Sequence, residues 1–482
     1  MSQLPQPPPP DDSGVAAAPE PRRSIWAELR DALRGTNVDY TKIPMRRAVF
    51  LLGVPMVLEL VLESTFAVVD IFFVAKLGAS AVATVGLTES YMFLIYSVGM
   101  GLAMAVGATV ARRIGEGNRQ QAAVTAVQAI VLAILVSVLP ALFGIFYAQD
   151  LLRLMGADAW SIEHGYRYTQ WMLATNAVIL LLFVINAIFR GAGDAAIAMR
   201  VLWLANLLNI LLCPLLIFGF GPVPALGIEG AAIATTIGRG VGVLYQFWVL
   251  FRGGKHIRVL RSHLALHSGI LWNILRTSIG GIGQMLVATT SWIFLMRILA
   301  SVGSDVVAGA TIVIRIFMFM MMPSWGLSNA AATLVGQNLG AQQPARAEAS
   351  VWHVGWYNMA YLSLIAIVFF IFPRQIAGFF SQDLAVVDTA AQWLRISSYS
   401  VLINGWWMVA VQAFNGSGDT ATPMKINLFF FWLIQIPLAW LLAIGLGWQQ
   451  SGVFWAAFVA QTTAGLFTLW LFTRGGWKTA AV

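Results

Sequence analysis

Three observations predict an all-α polytopic membrane protein, with twelve transmembrane helices forming two parallel six-helix bundles related by a pseudo-two-fold axis along the membrane normal. The first is composition: 59% of the 482 residues are hydrophobic, 10% are charged and the mean hydropathy is +0.77, values a water-soluble surface cannot carry. The second is an internal repeat. Phe189-Arg190-Gly191-Ala192-Gly193-Asp194 returns 225 residues later as Phe414-Asn415-Gly416-Ser417-Gly418-Asp419, and the same offset aligns Gly78 with Gly303, Ile114-Gly115 with Leu339-Gly340, and Gly227 with Gly452. The third is parity. Apolar runs of roughly 20 residues, enough for a helix across a ~30 Å hydrocarbon core, recur about six times per copy, so both copies enter the membrane from the same side.

In chain order, residues 1–43 read as a disordered or amphipathic cytoplasmic tail. Met1 to Glu20 is Pro-rich with no apolar core, unlike a cleaved secretory signal. Ile25, Trp26, Leu29 and Leu33 follow at helical spacing, as in a short interfacial helix. The first bundle is residues 44–252, with spans at 48–75, 82–108, 121–147, 166–189, 198–220 and 228–251. Residues 253–268 form a cytoplasmic linker. The second bundle is 269–477, with spans at 273–301, 306–334, 349–372, 390–413, 424–446 and 452–473, and 478–482 is a tail. Backbone groups in lipid need internal partners, and runs this long supply helices rather than barrel strands.

Lys and Arg cluster in the opening tail and after even-numbered spans, as at Arg112, Arg113 and Arg119 or Arg252, Lys255, Arg258 and Arg261, which places both termini in the cytoplasm. That topology, with anionic lipid as a partner, accounts for the net charge of +8 without nucleic acid. The single cysteine, Cys213, excludes an intrachain disulfide framework, and the five histidines form no H-E-x-x-H pattern. No nucleophile–base or metal pattern points to an enzyme, and no cofactor is called for.

Chemistry concentrates where the copies differ. The first span holds Glu59, Glu63 and Asp70, whereas 225 residues later stand Gln284, Ala288 and Leu295. Steps of four and eleven residues at ~100° each put the three carboxyls on one helix face over roughly 16 Å. A carboxylate at membrane depth costs at least a few kcal/mol, so such groups face a wet cavity, pair, or stay protonated. Asp70 is the first candidate for ion coupling, and Glu89 of the second span can share its depth. The Gly-x-Gly-Asp motifs at 191–194 and 416–419 follow no strand and read as tight turns whose Asp caps the next helix. Met318, Met320, Met321 and Met322, with Trp292, Trp325, Tyr357, Tyr361, Tyr399, Trp406 and Trp407, suit a cavity for flat cationic guests, and equally fit lipid contact. Pro55, Pro323, Pro423 and Pro437 mark kinks.

Four stretches stand out: Pro55 through Gly78 with Val69-Asp70-Ile71-Phe72-Phe73-Val74, Asn209 through Pro214, Gly230-Ala231-Ala232-Ile233-Ala234-Thr235, and Leu334-Val335-Gly336-Gln337-Asn338-Leu339-Gly340-Ala341. In these the chain resembles the multidrug and toxic compound extrusion (MATE) family, closer to its DinF-like branch. The resemblance implies two bundles around a central cavity that opens to either side in turn, exporting organic cations or drugs in exchange for protons or sodium ions across the bacterial plasma (inner) membrane. It also implies that Asp70, Asn209 and Thr235 take part in ion coupling, with Cys213 where that branch has a second Asp, which disfavours sodium because hard cations prefer oxygen. The acids of spans 7 and 10 used by the NorM-like branch are replaced here by Gln284, Asn404 and Gln412.

The expectation is a proton-coupled antiporter with Asp70, Glu63, Glu89, Asn209, Cys213 and Thr235 at the ion site and Glu59, Gln284, Trp292, Met321, Tyr399 and Trp406 along the substrate path. The alternative is a flippase for a lipid-linked glycan, which needs a ring of basic residues. Only Arg297 and Arg315 are expected near membrane depth.

Overall fold

A computed structural model describes residues 24–254 and 256–480; the Pro-rich segment Met1 to Glu20 lies outside the described residues. A short helix α1 (Ile25–Arg34) precedes six long helices: α2 (Met45–Val74), α3 (Ala79–Gly115), α4 (Arg119–Leu154), α5 (Ser161–Ala192), α6 (Ala195–Phe218) and α7 (Ile228–Arg252). Six more follow: α8 (Ser268–Val302), α9 (Ser304–Gly340), α10 (Pro344–Ile371), then, after the short α11 (Pro373–Phe380), α12 (Leu384–Ser417), α13 (Ala421–Gly445) and α14 (Gln449–Thr473). Among the described residues nine are long and apolar enough to cross a membrane; α2, α7 and α12, at 30, 25 and 34 residues, match them in length and carry much of the polar chemistry. On α1, Ile25 and Trp26 are exposed while Ala32 is buried and Arg200 donates to the Arg34 carbonyl at 2.7 Å, holding this amphipathic turn beside the start of α6.

The bundles meet through a reciprocal crossing. Gly101 of α3 lies so close to α8 that a Cβ would come within 2.5 Å of the Ile282 backbone, and Gly326 of α9 lies equally close to Met56 and Val57 of α2. Positions 101 and 326, and 57 and 282, are each 225 apart, so each half's second long helix crosses the other half's first. In consequence α2 is shared. Ala48, Val49, Leu52 and Met56 pack with Ala330, Leu334 and Val335 of the second half, while Leu62, Phe73 and Val74 pack into the first. Near the end carrying both termini, Gly115 and Gly340 bring α3 and α9 together; a Cβ on either would strike a backbone carbonyl, of Gln337 or Arg112. Glycine is required there because the backbones touch.

Both Gly-x-Gly-Asp motifs form tight turns. Gly193 and Gly418 are left-handed (φ +94 and +96°), and the Asp194 and Asp419 amides donate back to the Phe189 and Phe414 carbonyls at 2.8 and 3.0 Å. Only one Asp caps the following helix as expected: Asp419 accepts from the Thr422 amide at 3.1 Å, whereas Asp194 is turned to the linker, accepting from the His256 amide at 3.2 Å and lying 3.0 Å from its Nδ1.

Two sequence expectations need correction. Pro423 sits in the first turn of α13, where a missing N–H costs nothing, and so needs no kink. The register of the last helix is not 225. Gly227 (φ +59°) immediately precedes α7 and Gln449 (φ +52°) opens α14, and three residues on, Gly230 and Gly452 each touch the preceding helix, so the offset there is 222 and Gly452 matches Gly230. The connection 446–448 before α14 is shorter than 219–227 before α7, which lowers the offset, while α13 carries two widened stretches, Leu428–Gln435 and Leu441–Gly445, on either side of Pro437.

Candidate functional site

Helix α2 passes α6 and α7 with Glu63 and Asp70 facing them, while Glu59 meets α5. Asp70 stands one turn before its end. The Thr235 hydroxyl donates to Asp70 Oδ2 at 3.0 Å, the Cys213 thiol lies 3.8 Å from Oδ1, and Asn209 Nδ2 donates to the Thr235 hydroxyl at 3.3 Å. Asn209 and Cys213 are four apart on α6 and therefore share its face. The structure thus brings together four of the six residues expected at the ion site. A turn below, Asn206 donates to the Leu62 carbonyl at 2.9 Å and fixes α6 against α2. Asn209 is fully buried, and its Oδ1 has no hydrogen-bond partner among the described residues.

The other two expected members are placed differently. Glu89 on α3 is exposed and within electrostatic range of Asp70 without a hydrogen bond to it among the described contacts. Glu63 is paired: Arg239 Nη2 donates to its Oε1 at 2.9 Å, with the arginine side chain 6% exposed. Glu59 is paired as well, accepting from Arg190 Nη1 at 2.5 Å and Asn186 Nδ2 at 3.2 Å, and Gln246 donates to Asn186 at 2.6 Å. At 3% exposed, Glu59 is a buried ion-pair member rather than a lining residue of a substrate path.

Arg190 and Arg239 are the functional-site residues that sequence reasoning missed. Arg190 reads as an ordinary basic residue beside a turn, and Arg239 as one charge in an apolar run; their acids lie 131 and 176 residues away in sequence. Arg239 stands midway along α7 and turns inward to Glu63, unlike Arg297 and Arg315. Those two side chains are exposed.

The second half holds no charged equivalent. Gln284 is buried, not lining a path; it donates to Asn415 Oδ1 and to the Thr420 carbonyl, both at 2.9 Å. Trp406 packs between Trp352 and Trp356, with centroids 5.1 and 5.3 Å away, in room left by Gly355. Met321 packs on Leu362 and Val401. Trp292 lies against Trp393 at 5.9 Å, and Tyr399 near Phe370 at 6.1 Å. These six expected path residues are dispersed through the molecule, and most serve packing where they stand. Among the described residues no group of three or more His, Cys, Asp or Glu could hold a metal ion.

The duplication, the crossing and the buried acids correspond to a known architecture. The family model MatE matches residues 55–215 and again 282–441. The "Probable multidrug resistance protein YoeA" of Bacillus subtilis is 26% identical over 438 residues, spanning 90% of this chain and 94% of its own. The "FAD transporter" of Shewanella oneidensis is 26% identical over 405 residues, spanning 82% and 88%. A solved outward-facing multidrug resistance MATE family transporter of the MOP superfamily superposes with a TM-score of 0.83 at 24% identity, covering 94% of this chain and 98% of that one. With the family model matching each half in turn, the chain belongs to the MatE family and is a membrane transporter of twelve helices in two bundles, not an enzyme.

Proposed function

We propose that the protein is a secondary antiporter of the bacterial inner membrane that exports organic cations or drugs in exchange for protons, with both termini cytoplasmic and Asp70 as the coupling group. The observation that carries this reading is the enclosure of Asp70 by Thr235, Asn209 and Cys213. A lone carboxyl among a hydroxyl, an amide and a thiol can bind and release a proton. When protonated it has an O–H to donate, and the unpartnered Asn209 Oδ1 is a nearby acceptor. Sodium is served poorly, because the thiol occupies a place where an oxygen ligand is needed.

Cation export follows from charge balance. Of the four acids on α2 and α3, Glu59 and Glu63 are paired with Arg190 and Arg239, whereas Asp70 and Glu89 have no ion pair among the described residues. The same balance disfavours an anionic cargo, whether a lipid-linked pyrophosphate or a flavin dinucleotide of the kind named for the Shewanella relative. The glycine contact of α3 with α9 closes the terminus side, which supports an outward-facing state. Because α2 belongs to both cores, a bend at Pro55 would carry motion from one to the other. Efflux of ethidium and of flavin from proteoliposomes, with pH and sodium gradients imposed separately at clamped potential, tests the reading. Ethidium export driven by the pH gradient alone is expected; sodium-driven export, or flavin export in its place, would overturn it.

A further inference from the structure

We propose that the end of α5 is the catch of a latch on the terminus side of the molecule, and that Tyr40, Thr333 and Gln337 are the donors that hold it shut and set the balance between outward-open and inward-open states. This rests on the reading of the structure as the outward-facing state of an alternating-access transporter, and not on which ion or cargo is carried.

The last carbonyls of a helix have no partner within it. At the end of α5 the turn's own amides meet two of them, Asp194 donating to the Phe189 carbonyl and Gly193 to that of Arg190 at 2.8 and 3.0 Å. Other donors come from outside the first bundle. Gln337 Nε2 of α9 donates to the Gly191 carbonyl at 2.9 Å, and the Thr333 hydroxyl, one turn away on the same helix, gives the Arg190 carbonyl a second donor at 3.3 Å. The Tyr40 hydroxyl donates to the Gly193 carbonyl at 3.2 Å.

Tyr40 lies in the strap 35–44 between α1 and α2. It is 3% exposed and packs in the core that the start of α2 shares with α9. Its ring rests so close on the turn that a Cβ at Gly193 would come within 2.7 Å of it. Arg346 of α10 fixes the strap to the second half by donating to the Tyr40 and Ile43 carbonyls. His256 of the linker ties it to the first half, its ring nitrogens lying 3.0 Å from Asp194 Oδ1 and 3.2 Å from the Val38 carbonyl. Packing alone does not seal this seam: a cavity of about 860 Å³ opens beside the strap, walled in part by Gly115, Tyr40, His256, Gln337 and Gly340.

The second copy shows that the catch is built once. The residues 225 positions before Thr333 and Gln337 are Ala108 and Arg112. Alanine has nothing to donate, and Arg112 donates to the Ala480 carbonyl near the C-terminus. When α3 and α9 part, the α5 carbonyls exchange protein donors for water, so each bond is weak enough to break in a transport cycle and their sum biases the closed state.

Nitroxides on cysteines replacing Gln120 and Ala345, both exposed in the first turns of α4 and α10, report the separation of the halves by double electron–electron resonance in nanodiscs; the native Cys213 is buried and stays unlabelled. In wild type the short, closed distance should dominate. Tyr40→Phe keeps the ring and should lower the closed-to-open ratio about threefold, and Tyr40→Phe/Thr333→Val/Gln337→Leu should lower it about tenfold or more. Ser417→Ala removes a hydroxyl bonded to the Phe414 carbonyl of its own helix and should leave the ratio unchanged. Gel filtration and thermal melting establish that each variant is folded, and should the triple variant be unfolded, Tyr40→Phe/Thr333→Val is used in its place. An unchanged distance distribution in the folded multiple variant, or an equal shift from Ser417→Ala, overturns the latch and leaves proton-coupled export standing. A long distance dominating in wild type overturns the outward-facing reading itself.

Discussion

Glu59 and Arg190 join α2 to α5 by an ion pair; in the second half Gln284 and Asn415, each 225 residues further on, join α8 to α12 by an amide pair. The contrast continues along the same helices. Glu63 corresponds to Ala288 and Asp70 to Leu295, while in the last helix, where the offset is 222, Thr235 and Arg239 correspond to Ala457 and Gln461. One scaffold is thus closed twice, once with charges and once with amides and apolar side chains. The second half shows that the same crossing can be closed without a carboxylate at these places.

The comparison can be broken experimentally. The largest expected effect is from Asp70→Asn, which keeps shape and hydrogen bonding but removes the titratable proton: pH-driven efflux should fall to the level of empty vesicles while the protein inserts and melts normally. Retained efflux by well-expressed protein would falsify the assignment. Next is Glu59→Gln alone, which leaves the partly buried Arg190 without its carboxylate and should destabilise by about 1.5–3 kcal/mol. Glu59→Gln/Arg190→Asn copies the second-half pair and should recover most of that loss in a thermal melt; no recovery would mean the two pairs are not equivalent.

A third substitution, Gly115→Ala, sets a methyl against the Gln337 carbonyl and should weaken closure of the terminus side, read as a shorter-lived crosslink between cysteines placed on α3 and α9. The smallest effect separates the two turns. Asp419→Ala removes a helix cap and should cost about 1 kcal/mol. Asp194→Ala should instead free the linker at His256, seen as faster proteolysis there with little change in the melt.

Much of this was legible in the sequence because it is periodic or local. Apolar runs give the helices, the repeat gives the symmetry, and the family pattern gives Asp70 with Asn209, Cys213 and Thr235. What stayed hidden is what long-range packing decides. The partners of Glu59 and Glu63 lie in other helices, and a lone arginine in an apolar run looks the same whether it faces lipid headgroups or a buried acid. The connection before the last helix is 446–448 where the first half has 219–227, a shortening that an ungapped repeat does not reveal, so the 225-residue offset fails in the last helix. Aromatic and Met residues were equally ambiguous: Trp406 and Met321 have the composition of a binding surface, but they fill seams between helices.

The central claim is that ion coupling resides in the first half alone, at Asp70. Proton release on drug binding measures this most directly, using purified protein in weakly buffered detergent solution with a pH-sensitive dye. The account predicts that wild type releases protons when ethidium binds, that Gln284→Ala still does so, and that Asp70→Asn releases none. Undiminished release from folded Asp70→Asn would contradict it.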